Sequence, residues 1–109
     1  MDDNYMFMAD LATQLTDIPE DSIVSKTMAD TDTFKATLMG FAQGQSLSEH
    51  AVPQDALLFF ATGEAELTLG GNTMTAQTGS WVHMGPNLPH SLTAKVQTTM
   101  LVIIFKNKK

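Results

Sequence analysis

The spacing of glycine and histidine between Gly44 and His90 constrains this chain more tightly than any other feature. The stretch opens Gly44-Gln-Ser-Leu-Ser-Glu-His50-Ala-Val52-Pro-Gln54-Asp-Ala56 and runs through Leu-Leu-Phe-Phe-Ala-Thr to Gly63. It closes Gly79-Ser-Trp-Val-His83-Met-Gly85-Pro-Asn87-Leu-Pro-His90. Between these two units, Gly70-Gly71-Asn72 is a hairpin signal, because tight hairpin turns need positive φ. Ala65, Leu67 and Leu69 alternate with Glu64, Glu66 and Thr68, the pattern of a half-exposed strand, and Met74 and Ala76 are expected to continue inward on the return strand. Ala56 to Ala61 is apolar on both parities, as in a strand covered on both faces. Trp81 to Met84 forms another strand, and Pro86 and Pro89 mark a rigid loop that delivers His90.

The flanks carry the same signature. Ile23 to Met28 is a short strand candidate. Phe34, Ala36, Leu38 and Gly40 alternate with Lys35, Thr37 and Met39, which predicts a half-buried strand. After His90 come Ser91 to Val96. Thr98 to Phe105 is too β-branched to be anything but a buried strand. Residues 1–21 are less regular: Asp10 to Leu15 reads as a helical turn or an extended edge, and Asp17-Ile-Pro-Glu-Asp-Ser22 as a turn. About nine short strands at spacings near ten residues, with no amphipathic helix, predict an all-β sandwich or barrel.

Composition narrows the function. At 109 residues the chain reads as one domain with one modest core. It has no cysteine, which excludes disulfides, thiolate metal sites and cysteine nucleophiles. Residues 1–32 hold eight of the twelve acids and one lysine, whereas residues 67–109 hold no acid and four lysines. No arginine is present, and the net charge is −6, so nucleic-acid recognition is not expected. The lysines of Lys106-Asn-Lys-Lys109 read as a solubilising terminus. The acidic start, Met1-Asp-Asp-Asn, is unlike a secretory signal. The longest apolar run is too short to span a bilayer. The expectation is a soluble cytoplasmic protein with no membrane partner.

The Gly44–Gly63 and Gly79–His90 units resemble the two motifs of the cupin superfamily. The first family motif runs Gly, five residues, His-x-His, three or four residues, Glu, six residues, Gly, and Gly44, His50 and Gly63 fall in register with it. The second runs Gly, five residues, Pro-x-Gly, two residues, His. Gly79 and His90 match, with Gly85 in the proline place and Asn87 in the glycine place. The resemblance implies a double-stranded β-helix, or jelly roll, of two packed antiparallel sheets with little or no helix. It would be a single domain over 1–109, with an N-terminal segment over 1–21 and a barrel core over 34–105. It also implies a homodimer, since cupins commonly dimerise, and one divalent metal (Fe, Mn, Zn or Ni) where the ligand set is complete. Position by position, His50 and His90 take two of the four ligand places. Val52 and Ala56 stand where the second histidine and the glutamate would be.

Residues two apart on a strand share a face, so His50, Val52, Gln54 and Ala56 are expected to share the lumen, with Leu58 and Met100 beyond them. A metal centre with open positions needs about three protein ligands. The third candidates are Gln54, Glu49 if the strand is bulged, or His83, although alternation turns His83 outward with Trp81. His50 and His90 thus read equally as a ligand-facing pair or as a hydrogen-bonded remnant. Either way they should be neighbours. The second face of Leu57 to Phe60 must be covered by a partner subunit or by the N-terminal segment. Three functions follow: a lumen that binds a small molecule, with a weakly held divalent metal as an option; a metal-dependent enzyme of oxygenase, isomerase or lyase type; or a dimeric interaction protein with a vestigial pocket.

Overall fold

The computed structural model describes residues 4–106. Its strands are β1 (Ile23–Asp30), β2 (Phe34–Phe41), β3 (Ser46–His50), β4 (Ala56–Thr62), β5 (Glu64–Leu69), β6 (Asn72–Gln77), β7 (Trp81–Met84), β8 (His90–Ala94) and β9 (Thr98–Phe105). Among the described residues, helix is confined to one 3-10 turn over Leu11–Thr13, where the Asp10 carboxylate accepts from the Ala12 amide. The strands form a five-stranded sheet ordered β1-β2-β9-β4-β7 and a four-stranded sheet ordered β3-β8-β5-β6. All pairings are antiparallel. The all-β sandwich or barrel expected from the strand pattern, and the jelly roll implied by the motif resemblance, are therefore the architecture found.

Alternating side chains from the two inner faces make the main core. Phe41, Phe60, Leu67 and Met100 are its largest sealed members. Burying each such side chain contributes roughly 1.5–3 kcal/mol against leaving it in water. One glycine lets the chain pass directly from sheet to sheet. Gly63 alone separates β4 from β5, at φ +97°, and its carbonyl accepts from the Thr78 amide.

A second, smaller core lies on the outer face of the five-stranded sheet. Met28, Ala36 and Leu38 are buried there against Leu101 and Ile103, and Met8 and Leu15 of the N-terminal segment close over them. Ile18 packs so tightly on Gly40 that a Cβ there would come within 2.6 Å of its Cδ1. A register shift between Thr27 and Ala29 accompanies the placing of Met28 in this cluster. The alternation along β2 thus identified a buried face, but it is this outer one. Thr37 and Met39, which looked like the exposed parity, line the barrel cavity instead. Strand β9 likewise splits, with Leu101 and Ile103 outside and Met100, Val102 and Ile104 inside.

The second face of β4 is covered in part by the same segment, since Met8 to Ala12 lie against Phe59 and Ala61. Phe59 stays 36% exposed, and Trp81, its register partner on β7, is 63% exposed. Met74, expected inward, is 39% exposed while Ala76 is buried. Its strand β6 is an edge strand with a neighbour on one side only. Lys106 of the basic terminus pairs with Asp30 at 2.6 Å, and Lys108 and Lys109 lie outside the described residues, as do Met1 to Asp3. No helix among the described residues is long and apolar enough to cross a membrane.

Candidate functional site

Strand β3 ends on His50 and β8 begins on His90, and the two are directly opposite across the antiparallel pair. Their rings lie with centroids 4.2 Å apart and planes tilted by 56°. The neighbourhood expected from the two motifs is therefore present. A register shift falls between Leu47 and His50. It explains how two residues three apart both line the cavity, which unbroken alternation forbids. The bulge that would have brought Glu49 inward exists, but it presents Leu47 and His50, and Glu49 is exposed and outside the lining.

Two loops set the mouth. The Asn87 amide donates to the Val52 carbonyl at 2.7 Å, tying the loop before β8 to the loop before β4. Asn87 sits at φ +66°, a left-handed conformation that asparagine tolerates better than most residues. This is why it can stand in the glycine place of the second motif. Behind it, the Gly70 amide donates to the Pro89 carbonyl at 2.8 Å, anchoring the loop on the β5–β6 hairpin just before His90.

The cavity between the sheets has a volume of about 240 Å³. Of the residues expected there, His50, Val52, Ala56, Leu58, His90 and Met100 line it. Gln54 does not, which corrects the expectation that it would share the lumen. Residues 51–55 form a loop rather than a strand, so the two-residue alternation lapses before it reaches Gln54. The wall also includes Thr37, Met39, Leu47, Met84, Leu92, Val102 and Ile104. Val102 and Ile104 were recoverable by stepping in twos from Met100. Leu47 was hidden by the bulge. His83 turns outward, its Nε2 2.9 Å from Asp55 Oδ1, on the same exposed face as Trp81.

The two site histidines differ in depth and share one tether. His50 is exposed at the mouth and His90 is buried, at 8% exposure. His50 Nδ1 lies 2.8 Å from the Ser48 carbonyl oxygen, and His90 Nδ1 lies 2.9 Å from the Leu88 carbonyl oxygen. A carbonyl oxygen only accepts, so each Nδ1 carries hydrogen and donates it. Each ring is thereby held by the residue two positions before it.

The wall does not suit a resident metal centre of the kind the motif resemblance implies. Among the described residues no group of three or more His, Cys, Asp or Glu is placed to hold an ion. Val52 and Ala56 are wall residues where two further ligands would be. Two imidazoles fall short of the three-ligand requirement, and carboxamide oxygen from Gln54 is not available to make up the set.

Comparison with known proteins agrees with this geometry. The family model for the cupin domain matches residues 37–105. A conserved protein of unknown function from Streptococcus pyogenes is 25% identical, with 100% of this chain and 93% of that chain covered and a TM-score of 0.83. A cupin 2 conserved barrel domain protein from Leptotrichia buccalis is 31% identical over 83% of this chain, with a TM-score of 0.77, and the match spans 44% of that chain. A cupin superfamily protein from Desulfitobacterium hafniense is 24% identical, covering 84% of each chain at a TM-score of 0.79. Among curated proteins none matches. With both motifs in register on a two-sheet jelly roll, and more than half its length matched by the family model, the chain belongs to the cupin domain family.

Proposed function

We propose that this cupin binds a small, mainly apolar molecule in the barrel lumen, with the polar end of the molecule at His50 and His90. The observation that carries this reading is the wall itself. A cavity of about 240 Å³ is walled by aliphatic and methionine side chains, and its polar wall side chains are two imidazoles and the Thr37 hydroxyl. Apolar walls with a few placed polar groups are the usual make-up of a ligand site. An apolar protein cavity of roughly 150 Å³ is enough to take up benzene, so a substituted ring fits here. A divalent ion on the two histidines would be held weakly, and the donor set lends no support to the oxygenase, isomerase or lyase reading.

Methionine methyl groups provide the test. Met39, Met84 and Met100 line the cavity, while Met6 and Met74 are exposed away from it. Toluene titrated against protein with isotope-labelled methionine methyls should shift the three wall signals and leave Met6 and Met74 in place. Unmoved wall signals, or uniform shifts across all methionines, would refute the proposal.

A second reading concerns assembly. Phe59 and Trp81 are register partners on an outer sheet face and both remain exposed, which favours a homodimer through that face. Sedimentation equilibrium should give a dimer for the native chain and a monomer for Trp81→Ser with Phe59→Ser. A monomeric native chain would sink this reading.

A further inference from the structure

We propose that the cavity selects a small amine, a molecule whose polar end carries two hydrogen-bond donors and no negative charge, over acceptor-only and anionic heads. This rests on the reading of the lumen as a ligand cavity and adds the chemistry of the head group.

The argument starts from the two tethers. With Nδ1–H of each ring committed to the Ser48 or Leu88 carbonyl, the lone pair of the neutral imidazole lies on Nε2. Neither Nε2 has a hydrogen-bond partner among the described residues, although His90 is nearly sealed. No side-chain nitrogen or oxygen among the described residues is both fully enclosed and unpartnered, so the His90 Nε2 opens onto cavity space. The ring centroids are 4.2 Å apart, which brings both acceptors within reach of one head group. Two neighbouring acceptors match two N–H donors. An ether or ketone would set lone pair against lone pair and leave both nitrogens unsatisfied.

Charge points the same way. The wall carries no lysine, the chain has no arginine, and its net charge is −6, so nothing compensates an anion while amines are attracted. Apart from the two histidines, no ionisable group of the packed elements lines the wall. Glu49 on β3 is exposed, and Glu66 on β5 is exposed opposite Thr93. Lys35 on β2 is exposed opposite the wall residue Ile104, Lys106 follows β9 in a pair with Asp30, and His83 and Asp55 pair with each other outside. The two imidazoles and the Thr37 hydroxyl are therefore the polar side chains of the cavity wall.

The test compares aniline, toluene and benzoate by the methionine methyl shifts, in the native chain and in His50→Phe and His90→Phe. Each substitution should weaken aniline relative to toluene about five-fold, the worth of one net hydrogen bond. Aniline affinity indifferent to both substitutions, with toluene still bound, would overturn the amine assignment and leave the lumen as a ligand site. Benzoate bound as tightly as aniline would overturn it too. Failure of toluene itself would remove the underlying reading.

Discussion

Gly63 supplies the sharpest test of how this barrel is held. Its φ of +97° is a conformation that side chains with a Cβ rarely adopt, and the space beside it is occupied by backbone. A Cβ there would lie 2.6 Å from both the Gln97 carbonyl oxygen and Thr98 Cα. Those atoms start β9, whose Thr98 hydroxyl accepts from the Glu64 amide, so they cannot swing aside as a flexible side chain would. For Gly63→Ala the dihedral costs about 1–3 kcal/mol. The forced backbone shift adds about 1–3 kcal/mol, and reduced freedom of the unfolded chain offsets about 0.4–1 kcal/mol. The net is about 3 kcal/mol, a large part of the roughly 5–15 kcal/mol that holds a domain folded. At about 4–8 °C per kcal/mol for a domain near this size, Tm should fall by about 12–24 °C.

Two other motif glycines calibrate the estimate. Gly44 has φ +85° but nothing within 4 Å of a built Cβ, so Gly44→Ala should lose the dihedral contribution alone, about 1 kcal/mol net. Gly85 has neither a positive φ nor a close neighbour, so Gly85→Ala should be neutral within about 0.5 kcal/mol. Urea unfolding followed by far-UV circular dichroism gives all three values on one scale. If Gly63→Ala proves no worse than Gly44→Ala, the close approach of β9 is not what that glycine serves.

Three further outcomes follow from the structure. Leu38→Ala should cost about 3 kcal/mol, because Leu38 is fully buried under the N-terminal segment, yet toluene binding should survive because Leu38 is not a wall residue. Val52→His combined with Ala56→Glu should restore a four-ligand set. The metal-free variant should be destabilised by a carboxylate at a 1% exposed position, and zinc at about 100 times its Kd should return about 2.7 kcal/mol, while the native chain shows no comparable zinc-dependent rise in Tm. The hydrogen bond and positive charge of Lys106 hold the Asp30 carboxyl below its ordinary value. A depressed carboxylate stabilises above its ordinary range and loses that contribution as pH falls through the lowered value, so Lys106→Gln should move the Asp30 midpoint upward in a carboxyl-carbon NMR titration.

What the residues alone determine here is periodicity and punctuation. Gly44, Gly63 and Gly79 mark where strands stop, the alternation in β5 and β9 marks strand identity, and the matched spacing to His50 and His90 places two imidazoles together. These are local properties, legible because a strand repeats every two residues and a turn demands particular backbone angles. The absence of the second histidine and the glutamate is legible in the same way, at Val52 and Ala56.

Tertiary structure decides which side of each strand meets which surface. Both faces of β2 are buried, one under Met8 and Leu15 and one against the cavity, and period-two alternation cannot distinguish an inner burial from an outer one. The bulge before His50 and the loop around Gln54 depend on pairing with β8 and on the Asn87 to Val52 hydrogen bond, contacts between residues about forty apart or nearly so. The tethers to the Ser48 and Leu88 carbonyls are local, two positions back in each case, but only the pairing of β3 with β8 sets the two rings beside each other.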